Sequence, residues 1–335
     1  MNKVTCVLVI AAYAVLQFMQ TRGMLSASLR GMLVPICAYV VMAVSLNLTV
    51  GILGELSLGH AGFMSVGAFT GTAAAMALQD LIPLAPVRLA LAMILAAAFA
   101  GAAGFLIGIP VLRLNGDYLA IVTLAFGEII KAVVNNLYVG IDSAGIHMSL
   151  LNDNTHLLPG GKLLIQGPMG IGGIQKISTF TAGFVLVLLT LVIIFNLVSS
   201  RAGRAIMSIR DNRIAAESVG VNVVKYKMMA FVTSAAMAGA AGALFAMNYS
   251  TIVANKFDFN LSILVLVFVV LGGLGNLLGS VIAAAALTIL PEALRQFYDY
   301  RMLVYAIVLI LVMLITNSPA VKALYGRRFS GKEEA

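Results

Sequence analysis

Long uninterrupted apolar runs dominate this chain and leave it little choice of fold. A bilayer core takes about 20 apolar residues per helix. The chain offers ten such stretches, at 4–20, 32–50, 61–79, 88–109, 117–136, 181–198, 226–247, 261–275, 276–291 and 302–316. The runs are continuous rather than alternating, so they read as helices and not as barrel strands. Only 10% of the residues are charged, against roughly 25% in a soluble domain. The expected fold class is therefore an all-α integral membrane protein of about ten transmembrane helices, broken or half-helices included. The short spans 261–275 and 276–291 are parted only by "GGLGN" and are the candidates for half-helices.

The placement of charge says more than its total. Net charge is +8, yet Lys and Arg gather in the 199–227 loop and in the tail after Asn317, as expected of cytoplasmic segments rather than of a nucleic-acid partner. Six spans precede the loop and four follow it, which puts both termini and the loop in the cytoplasm. Arg22 and Arg30 run against that count, so the first span is the least secure. The first residues, "MNKVTCVLVIAAYAVLQFMQ", have a basic end and an apolar core without a convincing cleavage site, and they read as a retained first span. Cys6 and Cys37 lie in apolar stretches and read as packing residues, not as a disulfide.

Small residues recur at helix-contact spacing in "GAFTGTAAA" (67–75) and "GAAGFLIG" (101–108), as close approach of membrane helices requires. "GILGEL" at 51–56 echoes "GGLGNL" at 272–277, one in each half of the chain, as broken-helix motifs in a transporter built from two repeats would. The longest polar excursion, 137–180, is expected outside the cytoplasm. It holds His147, His156, Asp142 and Asp153, whose spacing matches no metal-ligand pattern; they read as loop residues, and the loop as a cap on which a partner docks.

No HExxH, CxxC, GxSxG or G-x-x-x-x-G-K-[ST] occurs, and "GGK" at 160–162 continues with Leu163. If ATP drives this protein, another chain binds it. Ionisable and polar residues inside or at the ends of spans usually face a cavity or a partner. Those named as translocation-path candidates are Glu55, Ser57, His60, Thr123, Glu128 and Asn135. Glu128 and Lys131 stand three apart, where they can neutralise each other, and a lining role or a proton relay remains open for Glu128. In "GELSLGHAGF" the glycines around Ser57 and His60 fit either a helix break or tight packing at a helix end.

The stretch "GRAIMSIRDNRIAAESVGVN" (203–222) carries three arginines and two acids between apolar runs. Ser208 and Asp211 form an S-x-x-D pattern, and Gly220 suits the residue just past a helix end. A helix of about three turns is expected between them, with Arg213 and Glu217 four apart and with Ile209, Ala216 and Val219 on an apolar face. Such a helix suits docking to a partner or lying in the membrane interface.

This stretch resembles the cytoplasmic loop of ABC importer permeases of the branched-chain amino acid class, of the LivM type. The segments "LSLGHAGFMSVGAFT" (56–70), "LRLNGDYLAIVTLAFGEI" (112–129), "GPMGI" (167–171) and "GGLGNLLGSVIAAAAL" (272–287) are similar in the same order. The resemblance implies a type II-like importer permease of the bacterial inner membrane. It also implies a second homologous permease, two cytoplasmic ATPase subunits that bind ATP and Mg, and a periplasmic substrate-binding protein; no cofactor belongs to this chain. It assigns the coupling role to Arg210, Asp211, Arg213, Ala215, Ala216, Glu217 and Gly220. Residues 1–320 would form the permease, with 199–225 as the coupling loop and 321–335 as a basic cytoplasmic tail. Segment 137–166 is longer than the versions common in the family. The expected activity is import of branched-chain amino acids by alternating access. The alternatives are urea, short amides or other amino acids as cargo, an ion-coupled secondary transporter using Asp117 or Glu128, and, least favoured, a membrane enzyme.

Overall fold

A computed structural model of the chain describes residues 2–24, 26–79, 81–114, 116–142, 145–150 and 161–294, with scattered positions between 300 and 314. Eleven helices run through the described residues: α1 (Asn2–Thr21), α2 (Ala27–Asn47), α3 (His60–Ala77), α4 (Ala85–Val111), α5 (Asp117–Asn135), α6 (Phe180–Ser199), α7 (Arg201–Asp211), α8 (Arg213–Ser218), α9 (Val223–Ala246), α10 (Phe259–Gly272) and α11 (Leu277–Ala293). Nine coincide with sequence-predicted spans. Six helical segments among the described residues are long and apolar enough to cross a membrane: Ala27–Ile52, Ala85–Val111, Tyr118–Asn135, Phe180–Ser199, Val223–Ala246 and Ala254–Gly272. Leu277–Ala293 and the apolar part of α1, Val7–Thr21, are shorter. Most of the expected span 302–316 and the tail 321–335 lie outside the described residues.

The expectation of an all-α chain needs correction. The polar excursion folds into a three-stranded antiparallel sheet of β1 (Leu137–Asp142), β2 (Gly145–Leu150) and β3 (Lys162–Gln166), in the order β2-β1-β3. Leu137 stands opposite Leu150, and a bulge falls between Val139 and Gly140 against β3. A second small sheet joins β4 (Ile171–Gly172) to β5 (Thr251–Ile252). The alternation in "YVGID" and "GIHMSL" carried the strand signal, but it was too short to stand out beside helical runs. His147 Nε2 lies 3.1 Å from Asp142 Oδ1, while Asp153 and His156 lie outside the described residues.

The helices divide by how much of them the protein covers. In α2 and its extension, 89% of the apolar span is buried, and in α9 67%, against 22% in α5. The first two form the centre, and α4, α5 and α6 turn apolar side chains such as Ile94, Ile121 and Val192 outward. An apolar exterior around a packed interior suits a hydrocarbon solvent. Ser28 Oγ donates to Glu292, tying the start of α2 to the end of α11. Cys37 is buried as a free thiol in α2.

Close backbone approach explains Gly67 of α3 and Gly239 of α9. A Cβ on Gly67 would stand 2.1 Å from the Gly239 carbonyl oxygen of α9, and one on Gly239 would stand 2.3 Å from Ala100 Cβ of α4. Three helices thus meet at a point where no side chain fits. Gly239→Val should cost about 1–3 kcal/mol or more through overpacking. Gly31→Ala, in open space on α2, should be neutral or slightly stabilising. Thermal unfolding of the two variants in detergent checks the contrast.

Candidate coupling and translocation site

The chain between α2 and α3 is the first of two helix breaks. After Asn47 the helix widens into one π turn, Leu48–Ile52, then leaves helical geometry at Gly54 (φ +81°) and continues without regular structure to Gly59. Backbone groups released there need partners, because lipid supplies none. Glu55 N donates to the Thr49 carbonyl oxygen at 3.0 Å and Leu58 N to Thr123 Oγ1 at 3.0 Å. Ala61 N, in the first turn of α3, donates to Ser262 Oγ of α10 at 3.1 Å.

The second break, Gly273–Asn276, lies against the first. Buried Asn47 accepts from Gly275 N at 2.8 Å and donates to Ser280 Oγ of α11 at 2.8 Å. Gly51 approaches so closely that a Cβ there would stand 2.2 Å from Gly275 N. The two echoed segments, 51–56 and 272–277, are therefore neighbours in space. Helix α10 itself has 14 residues, about 21 Å of rise, and with the 3-10 turn before it makes the apolar segment Ala254–Gly272, long enough to cross a membrane.

Most of the path candidates gather around the first break. Glu55 forms an ion pair with Lys227 of α9, whose side chain is 2% exposed. Sequence reasoning counted Lys227 only among the basic residues of the loop; its burial could not be seen in "VVKYKMMAF". His60 is buried at the start of α3, its Nε2 2.8 Å from Ser45 Oγ. Ser57 is buried with its hydroxyl unpartnered. Thr123 is buried and donates to the Ala120 carbonyl oxygen at 2.9 Å. Its own carbonyl would stand 2.2 Å from a Cβ on Gly59, so α5 rides directly on the break. Glu128 pairs with Lys131 at 3.1 Å and borders a small recess with Asp258 and Ser262. Asn135 ends α5, twelve residues beyond Thr123, with a buried unpartnered Oδ1; it does not join the cluster. The side chain of Asp117 lies outside what the structure describes.

The loop that follows α6 departs from its expected form at one end only. Ser208 is no helix cap: it lies inside α7 and donates to the Ala205 carbonyl oxygen. Asn212 caps α8 instead, its Oδ1 accepting from Ala215 N at 3.0 Å. The chain turns there, so the expected three-turn helix is a six-residue one. S-x-x-D misleads because Asn, one residue past the motif, is as good a cap. The other end is as expected. Gly220 (φ +86°) donates to the Glu217 carbonyl oxygen and Val221 N to that of Ala216, both at 3.0 Å. Arg213 and Glu217 pair at 3.1 Å.

The expected apolar face of Ile209, Ala216 and Val219 divides between α7 and α8. Ile209 and Ala216 are buried with Val223, whereas Val219 points away, and Ile214 and Val219 are 80% and 79% exposed. Arg210 reaches from the end of α7 to the first break, donating to the Gly51 carbonyl oxygen at 3.3 Å and lying over Gly54. It also pairs with Asp211 at 3.1 Å. A cleft of about 700 Å³ opens between the break and α8, walled by Glu55, Lys227, Arg210, Arg213, Ile214 and Glu217. Ala215 lies between these groups on α8.

Broken helices joined through buried polar contacts, and a short helix held against one break, define a multi-pass membrane transport permease. The chain belongs to the family described as branched-chain amino acid transport system / permease component, which matches residues 28–313. It is 35% identical to the high-affinity branched-chain amino acid transport system permease protein LivM of Salmonella typhimurium over 311 residues, 89% of this chain and 69% of that protein. The Escherichia coli protein of the same name is 34% identical over the same extents. No solved structure matches.

Removing one partner of a buried ion pair costs about 3–5 kcal/mol. Lys227→Met should destabilise on that order by stranding Glu55, and adding Glu55→Leu should recover most of the loss. Thermal unfolding of the single and double variants in detergent measures both.

Proposed function

We propose that this chain is a membrane-spanning subunit of an ATP-driven importer for branched-chain amino acids in a bacterial inner membrane. It works by alternating access beside a second homologous permease. Two cytoplasmic ATPase subunits bind ATP and Mg, and a periplasmic binding protein delivers the amino acid. The observation that carries this reading is the pose of α8: Ile214 and Val219 stand out from a well-capped turn, while Arg210 fixes the preceding helix to the Gly51 carbonyl. Exposed apolar knobs beside paired charges suit a protein cleft better than water.

No covalent chemistry is needed. Closure of the ATPase pair would push α8, Arg210 and the Glu55–Lys227 pair would pass the displacement to the first break, and Asn47 would carry it to the second. Two arrangements of these contacts, each favoured by a different nucleotide state, would make the path face opposite sides in turn. Ser57, His60, Thr123 and Glu128 stay the candidates beside that path.

Reconstitution with the partner subunits tests the reading. Labelled-leucine uptake should require internal ATP and the binding protein, and isoleucine and valine should compete. Ile214→Asp together with Val219→Asp should leave the chain membrane-inserted and reduce uptake to background. Uptake driven by an ion gradient alone would overturn the proposal, and normal uptake by the double variant would remove the coupling role from α8.

A further inference from the structure

Far from the coupling cleft, a second polar cluster is buried with its hydrogen bonds incomplete. Helix α9 starts beside the cleft, with Lys227 in its second turn, and is capped by Met247 beside a small cavity between α3 and α4. Its 24 residues span about 36 Å, so the two sites occupy opposite ends of the protein. Thr72, Gln79, Arg88, Ile174, Gln175 and Met247 line this cavity. Arg88, in the first turns of α4, is only 4% exposed. None of the ion pairs among the described residues includes it.

A buried guanidinium without a carboxylate is costly, and its donors are seldom left idle. Here Nη2 donates to Gln175 Oε1 at 2.6 Å, while Nε is buried and unpartnered. The Thr72 hydroxyl, fully buried in the same wall, is also unpartnered. The Nε–H and Nη2–H bonds of an arginine point side by side along one edge, and two carboxylate oxygens match that edge. The Gln175 amide presents one oxygen and satisfies half of it. The cavity measures about 10 Å³, enough for about one water molecule. A carboxylate therefore reaches the edge only by taking the place of Gln175.

We propose that Arg88 binds the carboxylate of the transported amino acid, at the end of the permease remote from the coupling helix, by displacing Gln175 and engaging both Nε–H and Nη2–H. Thr72 completes the pocket with its free hydroxyl. The inference rests on the reading of this chain as an amino-acid permease.

The test uses the complete transporter in proteoliposomes, with labelled leucine as the probe and Arg88→Gln, Arg88→Lys and Gln175→Leu as variants. Arg88→Gln should raise KM by about tenfold or more, read on transporter whose assembly size-exclusion chromatography has verified; Arg88→Lys should fall between. Gln175→Leu should leave KM level or lower, because it removes the competitor. As unlabelled competitor, 4-methylpentanoate should lose effect in Arg88→Gln, whereas leucinamide, which lacks the carboxylate, should not. If Gln175→Leu raises KM as much as Arg88→Gln, Arg88 is a strut acting through Gln175, and the proposal fails. Unchanged KM in Arg88→Gln, with normal wild-type leucine uptake, also overturns it and leaves the transport reading standing. Import of a different amino acid, with the same KM rise, would correct the substrate and support the role of Arg88. Import of neutral amides alone would overturn both.

Discussion

A backbone amide or carbonyl released from a helix costs several kcal/mol where no water can replace its partner. The chain releases such groups twice, at 48–59 and at 273–276, and much of the remaining architecture answers that cost. Asn47, the last residue before the first break, ties it to the second because its amide accepts from Gly275 with one end and donates to Ser280 of α11 with the other. Thr123 and Ser262 bring α5 and α10 in as donors' partners. The breaks are therefore the points at which five helices, α2, α3, α5, α10 and α11, are held together.

The same economy explains why charge sits where it does. Arg210 answers the Gly51 carbonyl, and Lys227 answers Glu55. Arg210 is drawn from the polar loop against the first break, and Lys227 brings the start of α9 to it. A loop attached only by its two chain ends would bend without moving anything else. This one is fastened at a further point, through Arg210, to the segment whose hydrogen bonds are least regular.

Sequence periodicity and length located nine helices to within a few residues, because an apolar run in lipid has hardly any other outcome. The C-terminal turn of α8 was equally legible, since Gly220 occupies a backbone region that other residues avoid. Its start was not: Ser208 and Asn212 are both good caps, and only tertiary packing of Ile209 chooses between them. The echo between 51–56 and 272–277 was visible, but nothing along the chain revealed that the two touch. Lys227 and Arg88 were hidden for a related reason. Burial of a single cation depends on what arrives from distant parts of the chain, Glu55 for one and Gln175 for the other. The strands of 137–166 escaped notice because their alternation is brief and half polar.

Where Gly67, Gly239 and the Ala96 carbonyl meet, α3, α9 and α4 abut main chain to main chain. Sliding between helices normally proceeds by side chains hopping among rotamers, and at this junction there are none to hop. The three helices are thus mortised into one beam, whose near end abuts the cleft beside α8 and whose far end holds Arg88. A beam tilts as a whole, so a small push at one end becomes a displacement at the other without any wire of intermediate contacts.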